Sequence, residues 1–188
     1  MTRAFAFSIA AMLSLAGTCA RADALDGVLR VVSAYVDIEH SVYTLHARIE
    51  YPMTPAIEEA LRDGVTLTFE LEARVMHDRH LWFDAVVVDL MMRRELAYHS
   101  ISDRYVVRDM PSGEQQSFAT LDDALMYLSA VDDWPILVGS QLAEGQHYYI
   151  SVRAGIRRGR LPASLRALLF WTDDWHRMSE WFTWALPS

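Results

Sequence analysis

Histidine, serine and carboxylate side chains come close together at three places in this chain of 188 residues, and each would support a different chemistry. His77-Asp78-Arg79-His80 holds two imidazoles and a carboxylate, the groups that ligate zinc or move protons. On a continuous strand, residues three apart point to opposite faces, so only a turn would bring the two rings together, and the sequence marks no third ligand. The segment reads as a solvated strand end. His99 beside Ser100, and Ser179 with His176 and Asp173 or Asp174, are the pieces of a hydrolase triad. Neighbours on a strand diverge, however, and no G-x-S-x-G elbow occurs. No catalytic residue, metal or cofactor is therefore assigned.

Two clusters suit contact rather than catalysis. Trp171, Trp175, Trp181 and Trp184 fall within the last 18 residues, four of the chain's six tryptophans. Such a group serves as a stacking platform for sugar rings or an interface anchor. It serves equally as core filling for a final strand or hairpin, turning at Asp173-Asp174. Arg157-Arg158-Gly159-Arg160 is the one basic run. As an exposed loop it would meet anionic lipid heads or an acidic partner; the plainer reading is a solvated turn.

The elements that must position these residues show a period of two. Tyr43, Leu45, Ala47, Ile49 and Tyr51 share one face of a strand, opposite Thr44, His46, Arg48 and Glu50. Val65, Leu67, Phe69, Leu71, Ala73 and Val75 repeat the pattern, against a wet face of Thr66, Thr68, Glu70, Glu72 and Arg74. It recurs at Val86, Val88, Leu90, Met92, Leu96 and Tyr98, and at Tyr148, Ile150, Val152, Ala154 and Ile156. Residues 28–38 supply a further strand with Val32, Ala34, Val36 and Ile38 inward. One wet face per strand implies antiparallel sheets. Thr54 caps a helix from Pro55 to Asp63 that Gly64 ends, with Glu58 and Arg62 paired along it. Thr120 and Asp123 open a second helix with Leu121, Ala124, Leu125 and Leu128 on its apolar stripe. Pro111-Ser112-Gly113 turns between strands at 105–108 and 116–118. The expected fold is mainly β: an antiparallel β-sandwich, immunoglobulin-like in shape, with two short helices. A partly open barrel is the alternative.

Residues 1–22 read as a secretory signal peptide, with basic Arg3, an apolar run from Ala4 to Ala16, and Ala20-Arg21-Ala22 before Asp23. Residues 23–188 form the single domain. Lipoprotein anchoring at Cys19 is disfavoured, because Ala16 and Thr18 stand where Leu and a small Gly, Ala or Ser are wanted. Cys19 is the one cysteine, so a chain cleaved after Ala22 has no disulfide and no thiolate site. It keeps 15 arginines, no lysine and 25 acids, a net charge of −10 that argues against nucleic acid as a partner.

Several segments together resemble a known family. They are Leu96-Ala97-Tyr98-His99, Arg104-Tyr105-Val106-Val107, Ser117 to Leu121, Asp133-Trp134-Pro135, Leu161-Pro162 with Leu165, and Trp175, Ser179, Trp181 and Trp184. In combination they are similar to the exported proteobacterial proteins of domain-of-unknown-function family 4390, over nearly all of residues 23–188. The resemblance implies an exported or envelope-associated protein without an assigned activity, often encoded beside a membrane sensor kinase of the nitrogen-regulation type and an RNA methyltransferase. The expectation is a non-enzymatic periplasmic binding or accessory domain contacting an envelope partner such as a sensor kinase, with peripheral membrane contact compatible. Its contact residues would be Trp171, Trp175, Trp181, Trp184, Arg157, Arg158 and Arg160. The alternatives are a glycan- or lipid-binding module using the C-terminal tryptophans, and a hydrolase with an unmarked site.

Overall fold

The computed structural model describes residues 27–77, 85–159 and 176–187. In chain order the elements are β1 (Arg30–Glu39), β2 (Val42–Glu50), α1 (Pro55–Arg62), β3 (Leu67–His77), β4 (Ala85–His99), β5 (Arg104–Asp109), β6 (Gln115–Phe118), α2 (Leu121–Ser129), β7 (Ala130–Val138), β8 (Tyr148–Arg158), β9 (His176–Met178) and β10 (Phe182–Ala185). All sheet pairings among the described residues are antiparallel. They build one sheet ordered β1-β2-β7 and a second ordered β10-β8-β3-β4-β5-β6, with β9 also on β8. The protein is mainly β, as its alternation predicts, and the two sheets stay separate instead of closing into a barrel.

The predicted inward faces make the core between the sheets. Leu45, Ala47 and Ile49 of β2 pack toward Leu67, Phe69, Leu71, Ala73 and Val75 of β3 and Ile150, Val152, Ala154 and Ile156 of β8, all buried. Sealing this apolar area from water is what makes the two layers stick. Both helices start where their caps predict: Thr54 Oγ1 accepts from Ile57 N at 3.3 Å, and Thr120 Oγ1 accepts from Asp123 N at 3.1 Å. Ile57 and Leu61 of α1, and Leu121, Ala124 and Leu128 of α2, bury one stripe each. The predicted turn after β5 is held by Asp109, whose carboxylate accepts from Ser112 N and Ser112 Oγ at 3.0 and 2.8 Å, with Gly113 at φ 75°.

Three expectations are corrected. Val32 points outward and is 52% exposed, because a β-bulge between Val31 and Ser33 shifts the phase; Val31 takes the buried position and Ala34 and Val36 resume the inward face. Val86 is exposed for the same reason, Val75 pairing with Val88 and Met76 with Val86. On β3 the face expected to be wet holds buried Thr68, Glu70 and Glu72. One strand went unread: β7 carries Pro135 and two register irregularities, which erase its alternation, and it lies at a sheet edge where proline is tolerated.

β1 and β2 join through His40-Ser41, both at positive φ, 49° and 66°. Two central residues at positive φ define a type I′ hairpin, a conformation that non-glycine residues adopt at a cost. Replacing the pair by Asn-Gly (H40N/S41G) is expected to raise stability by about 1 kcal/mol, read as a higher urea midpoint at unchanged slope. A second expectation concerns Tyr51, which meets Phe69 edge-on at 4.8 Å. Burial raises its phenol pKa, with Arg94 acting weakly the other way. A raised pKa means the folded state holds its proton longer than the unfolded chain, so stability falls as pH climbs past the ordinary tyrosine range near 10. Ultraviolet titration is expected to show one tyrosine that ionises only as the protein unfolds in alkali.

Candidate functional site

Register puts acids opposite arginines on the outer face of the larger sheet. Glu70 stands across from Arg93 of β4, Glu72 across from Arg153 of β8, and Arg74 across from Asp89 of β4. Opposite charges directly across a pair of strands attract. Glu70 is bound by Arg93 Nε at 3.1 Å and Arg157 Nε at 3.0 Å; Glu72 by Arg153 Nε at 2.7 Å and Arg74 Nη2 at 2.5 Å. Arg74 reaches on to Asp89 at 3.2 Å. The two glutamates are only 5% and 2% exposed, so these guanidinium groups are required partners: an isolated carboxylate so placed would be strongly unfavourable.

A C-terminal strap roofs this lattice. β9 and β10 both run along β8, but Met178 to Phe182 takes four steps while their partners, Gly155 to Val152, take three. The extra residue is a bulge in which Ser179 replaces regular pairing: its N donates to Ala154 O at 2.8 Å, and its Oγ accepts from Ala154 N at 3.0 Å and donates to Glu180 O at 2.8 Å. The bulge turns Trp181 onto the outer face. There its ring lies 4.3 Å from the Arg153 guanidinium and 5.0 Å from that of Arg74, a double cation–π contact. Gly155 leaves room for the strap: a Cβ would sit 2.5 Å from Met178 Sδ, so a larger residue would make the Met178 side chain move from its place over the sheet.

A family model described as "Domain of unknown function (DUF4390)" matches residues 28–185. The chain belongs to the DUF4390 family. No curated protein and no solved structure matches it.

In this DUF4390 domain the sequence-predicted contact residues divide. Trp181 and Arg157 both lie on the lattice face, Trp181 over Arg74 and Arg153 and Arg157 on Glu70. Trp184 lies on the inner side, half-buried against the core and edge-on to Phe182 at 5.6 Å. Arg157 and Arg158 end β8 rather than starting a loop, which corrects the loop reading of the basic run. Gly159 closes that strand against Thr66, donating its N–H to Thr66 O at 2.7 Å, and any side chain there would collide with the Thr66 hydroxyl. Trp171, Trp175, Arg160, Asp173, Asp174 and most of His77-Asp78-Arg79-His80 lie outside the described residues. Ser179 is committed to the backbone by its hydroxyl, and His176 pairs across from Arg157, so the two are not placed as nucleophile and base.

Two polar groupings escaped the sequence. On the smaller sheet, Tyr35 stacks on His46 at 4.7 Å with planes 8° apart. Asp37 and Asp133 face His46 Nε2 at 3.4 and 4.0 Å, and Asp132 faces Nδ1 at 3.7 Å. The Arg48 hydrogen bond, 2.8 Å, holds the Asp132 carboxyl below the usual carboxylate range. Because the acids divide between the two ring nitrogens they do not converge on one point, and among the described residues no group of three His, Cys, Asp or Glu is arranged to hold a metal. The second grouping is Arg94, on the inner face of β4 across from Phe69. Its Nη1 donates to Ala130 O at 3.4 Å and its guanidinium lies 4.9 Å from the Tyr127 ring, while its buried Nε has no hydrogen-bond partner among the described residues. An arginine in phase with Met92 and Leu96 is the signal that would have found it.

Arg153→Met removes one of two partners from Glu72 and one face of the Trp181 stack. It is expected to cost about 2–4 kcal/mol in urea unfolding and to shift tryptophan emission to the red. A loss within about 0.5 kcal/mol, the range of an ordinary surface substitution, would show that the lattice carries no stability.

Proposed function

We propose that this DUF4390 protein is an exported, non-enzymatic accessory domain that binds a protein partner in the cell envelope. The observation that carries the reading is a shallow apolar cleft of about 520 Å³ at the free edge of the larger sheet. Phe118 and Tyr127 pack 5.3 Å apart in it, Met126 is 71% exposed at its side, and Ser117, Ala119 and Asp123 complete the lining. Exposed apolar side chains grouped beside a polar rim suit a protein surface, and methionine adapts its shape to what it meets. The leader-like residues 1–22 support export, and the sensor kinase implied by family neighbourhood is one candidate partner. Among the described residues no helix is long and apolar enough to cross a membrane.

The alternative of sugar stacking on the tryptophans is less well supported by what surrounds Trp181. Arg74 and Arg153 already lie over its ring, leaving less of the π-face for a sugar. The expected experiment is photo-crosslinking in native cells from probes at Met126, Arg158 and Trp184. Repeated capture of one envelope protein from Met126, lost in a Met126→Glu variant that retains its fold, is the predicted result. Capture of glycan or lipid from the Trp184 probe, with none at Met126, would favour the alternative. The N-terminal residue of the processed protein, expected to be Asp23 by mass spectrometry, tests export separately.

A further inference from the structure

The four sheet edges differ in how they are protected. β6 and β10 are four residues each, and β7 is interrupted by Pro135 and by two register irregularities. These are ordinary ways of preventing one sheet from adding to another. β1 has none of them apart from its one bulge at Val32. It runs ten residues without proline, with no charged residue on its inner face, and among the described residues nothing pairs with its free edge. Val32, Tyr35 and Ile38 along it are 52%, 54% and 42% exposed.

The geometry points to β1 as the interface between two copies of this chain, joined edge to edge as antiparallel strands about a two-fold axis. What selects a second copy as the occupant is that β1 is complementary to itself. Its pairing with β2 sets the faces: Val31, Ala34, Val36 and Ile38 share the inner face with Ile49, Ala47, Leu45 and Tyr43, while Arg30, Ser33, Tyr35, Asp37 and Glu39 share the outer one. Directly opposite residues in an antiparallel pair lie on the same face. With Tyr35 across from Tyr35 of the second copy, Ala34 meets Val36 inside and Ser33 meets Asp37 outside. The bulge at Val32 then corrects the phase, as it does against β2, so that Val31 meets Ile38 and Arg30 meets Glu39. Apolar residues thus oppose apolar residues, and an arginine opposes a glutamate at both ends. The two tyrosines would extend the Tyr35–His46 stack into an aromatic row crossing four strands. A six-stranded sheet, β7-β2-β1 followed by its two-fold mate, is the result.

Cysteine cross-linking in the full chain tests this, because replacing Cys19 by Ser leaves a chain with no other thiol. Residues directly opposite in a strand pair have Cα atoms about 4.5–5.5 Å apart, within disulfide range. Tyr35→Cys is therefore expected to oxidise to a covalent dimer at least ten-fold faster than Ser33→Cys, whose two copies would lie about 14 Å apart. The unsubstituted chain is expected to sediment at twice its monomer mass, and Tyr35→Lys, which sets two charges on the axis, to sediment as a folded monomer by circular dichroism. A native chain that stays monomeric at its highest soluble concentration overturns the proposal. So does a dimer in which position 35 cross-links no faster than position 33.

Discussion

Two carboxylates on the outer face of β3, Glu70 and Glu72, are shielded from water, and much of the larger sheet follows from keeping them paired. A buried acid needs cationic hydrogen-bond donors on more than one side. That requirement is met only if β3 lies between β4, which brings Arg93, and β8, which brings Arg153 and Arg157. A shift of β4 by one residue would turn Arg93 to the core side and leave Glu70 with Arg157 alone, and a shift of β8 would take one of two partners from each glutamate. The lattice therefore specifies register on the outer face just as apolar packing does on the inner one. It also accounts for Gly155, which leaves room for Met178, and for Trp181, whose ring completes the cover over Arg74 and Arg153.

This makes the C-terminal strap part of the sheet's electrostatics. The strap is held by short-range bonds along β8, including the Ser179–Ala154 pair, the Ser151–Thr183 hydroxyl contact at 2.8 Å and Leu186 N to Tyr148 O at 2.9 Å. Three residues apart, Trp181 and Trp184 face opposite sides, and the bulge decides that Trp181 is the outward one. The outer charged face is thereby tied up internally, and the free edges and the cleft beside α2 are among the surfaces that the described residues leave open.

Much of the architecture was legible because its causes are local. Alternation marked the inward faces of β2, β3 and β8, and Thr54 and Thr120 marked the helix starts through the amides they satisfy. The lattice was not legible for the opposite reason: Glu70 and Glu72 look solvated until one knows that β4 and β8 flank β3, and strand order is a long-range property. The same holds for His46, which meets Asp132 and Asp133 only because a bulge in β7 faces it. Bulges also explain the misplacement of Val32 and Val86, since one extra residue puts the two sides of a strand out of phase and alternation read from one side fails on the other. Arg94 was detectable in principle, being a charge at an inward position that Asp109 of the next strand faces at 4.0 Å, but Ala130 and Tyr127, which also meet it, lie on elements distant from it in sequence.

The buried glutamates, by fixing Arg74 and Arg153 under Trp181, help hold the strap onto the sheet. Native-state hydrogen exchange on Glu72→Gln tests this most directly, since the change keeps the shape and removes the charge that fixes Arg74 and Arg153 under Trp181. Amides of Ser179 and of β10 are expected to lose protection well before those joining β3 to β4, so that the strap opens as a unit of its own. Equal loss of protection throughout, or none in the strap, would contradict it.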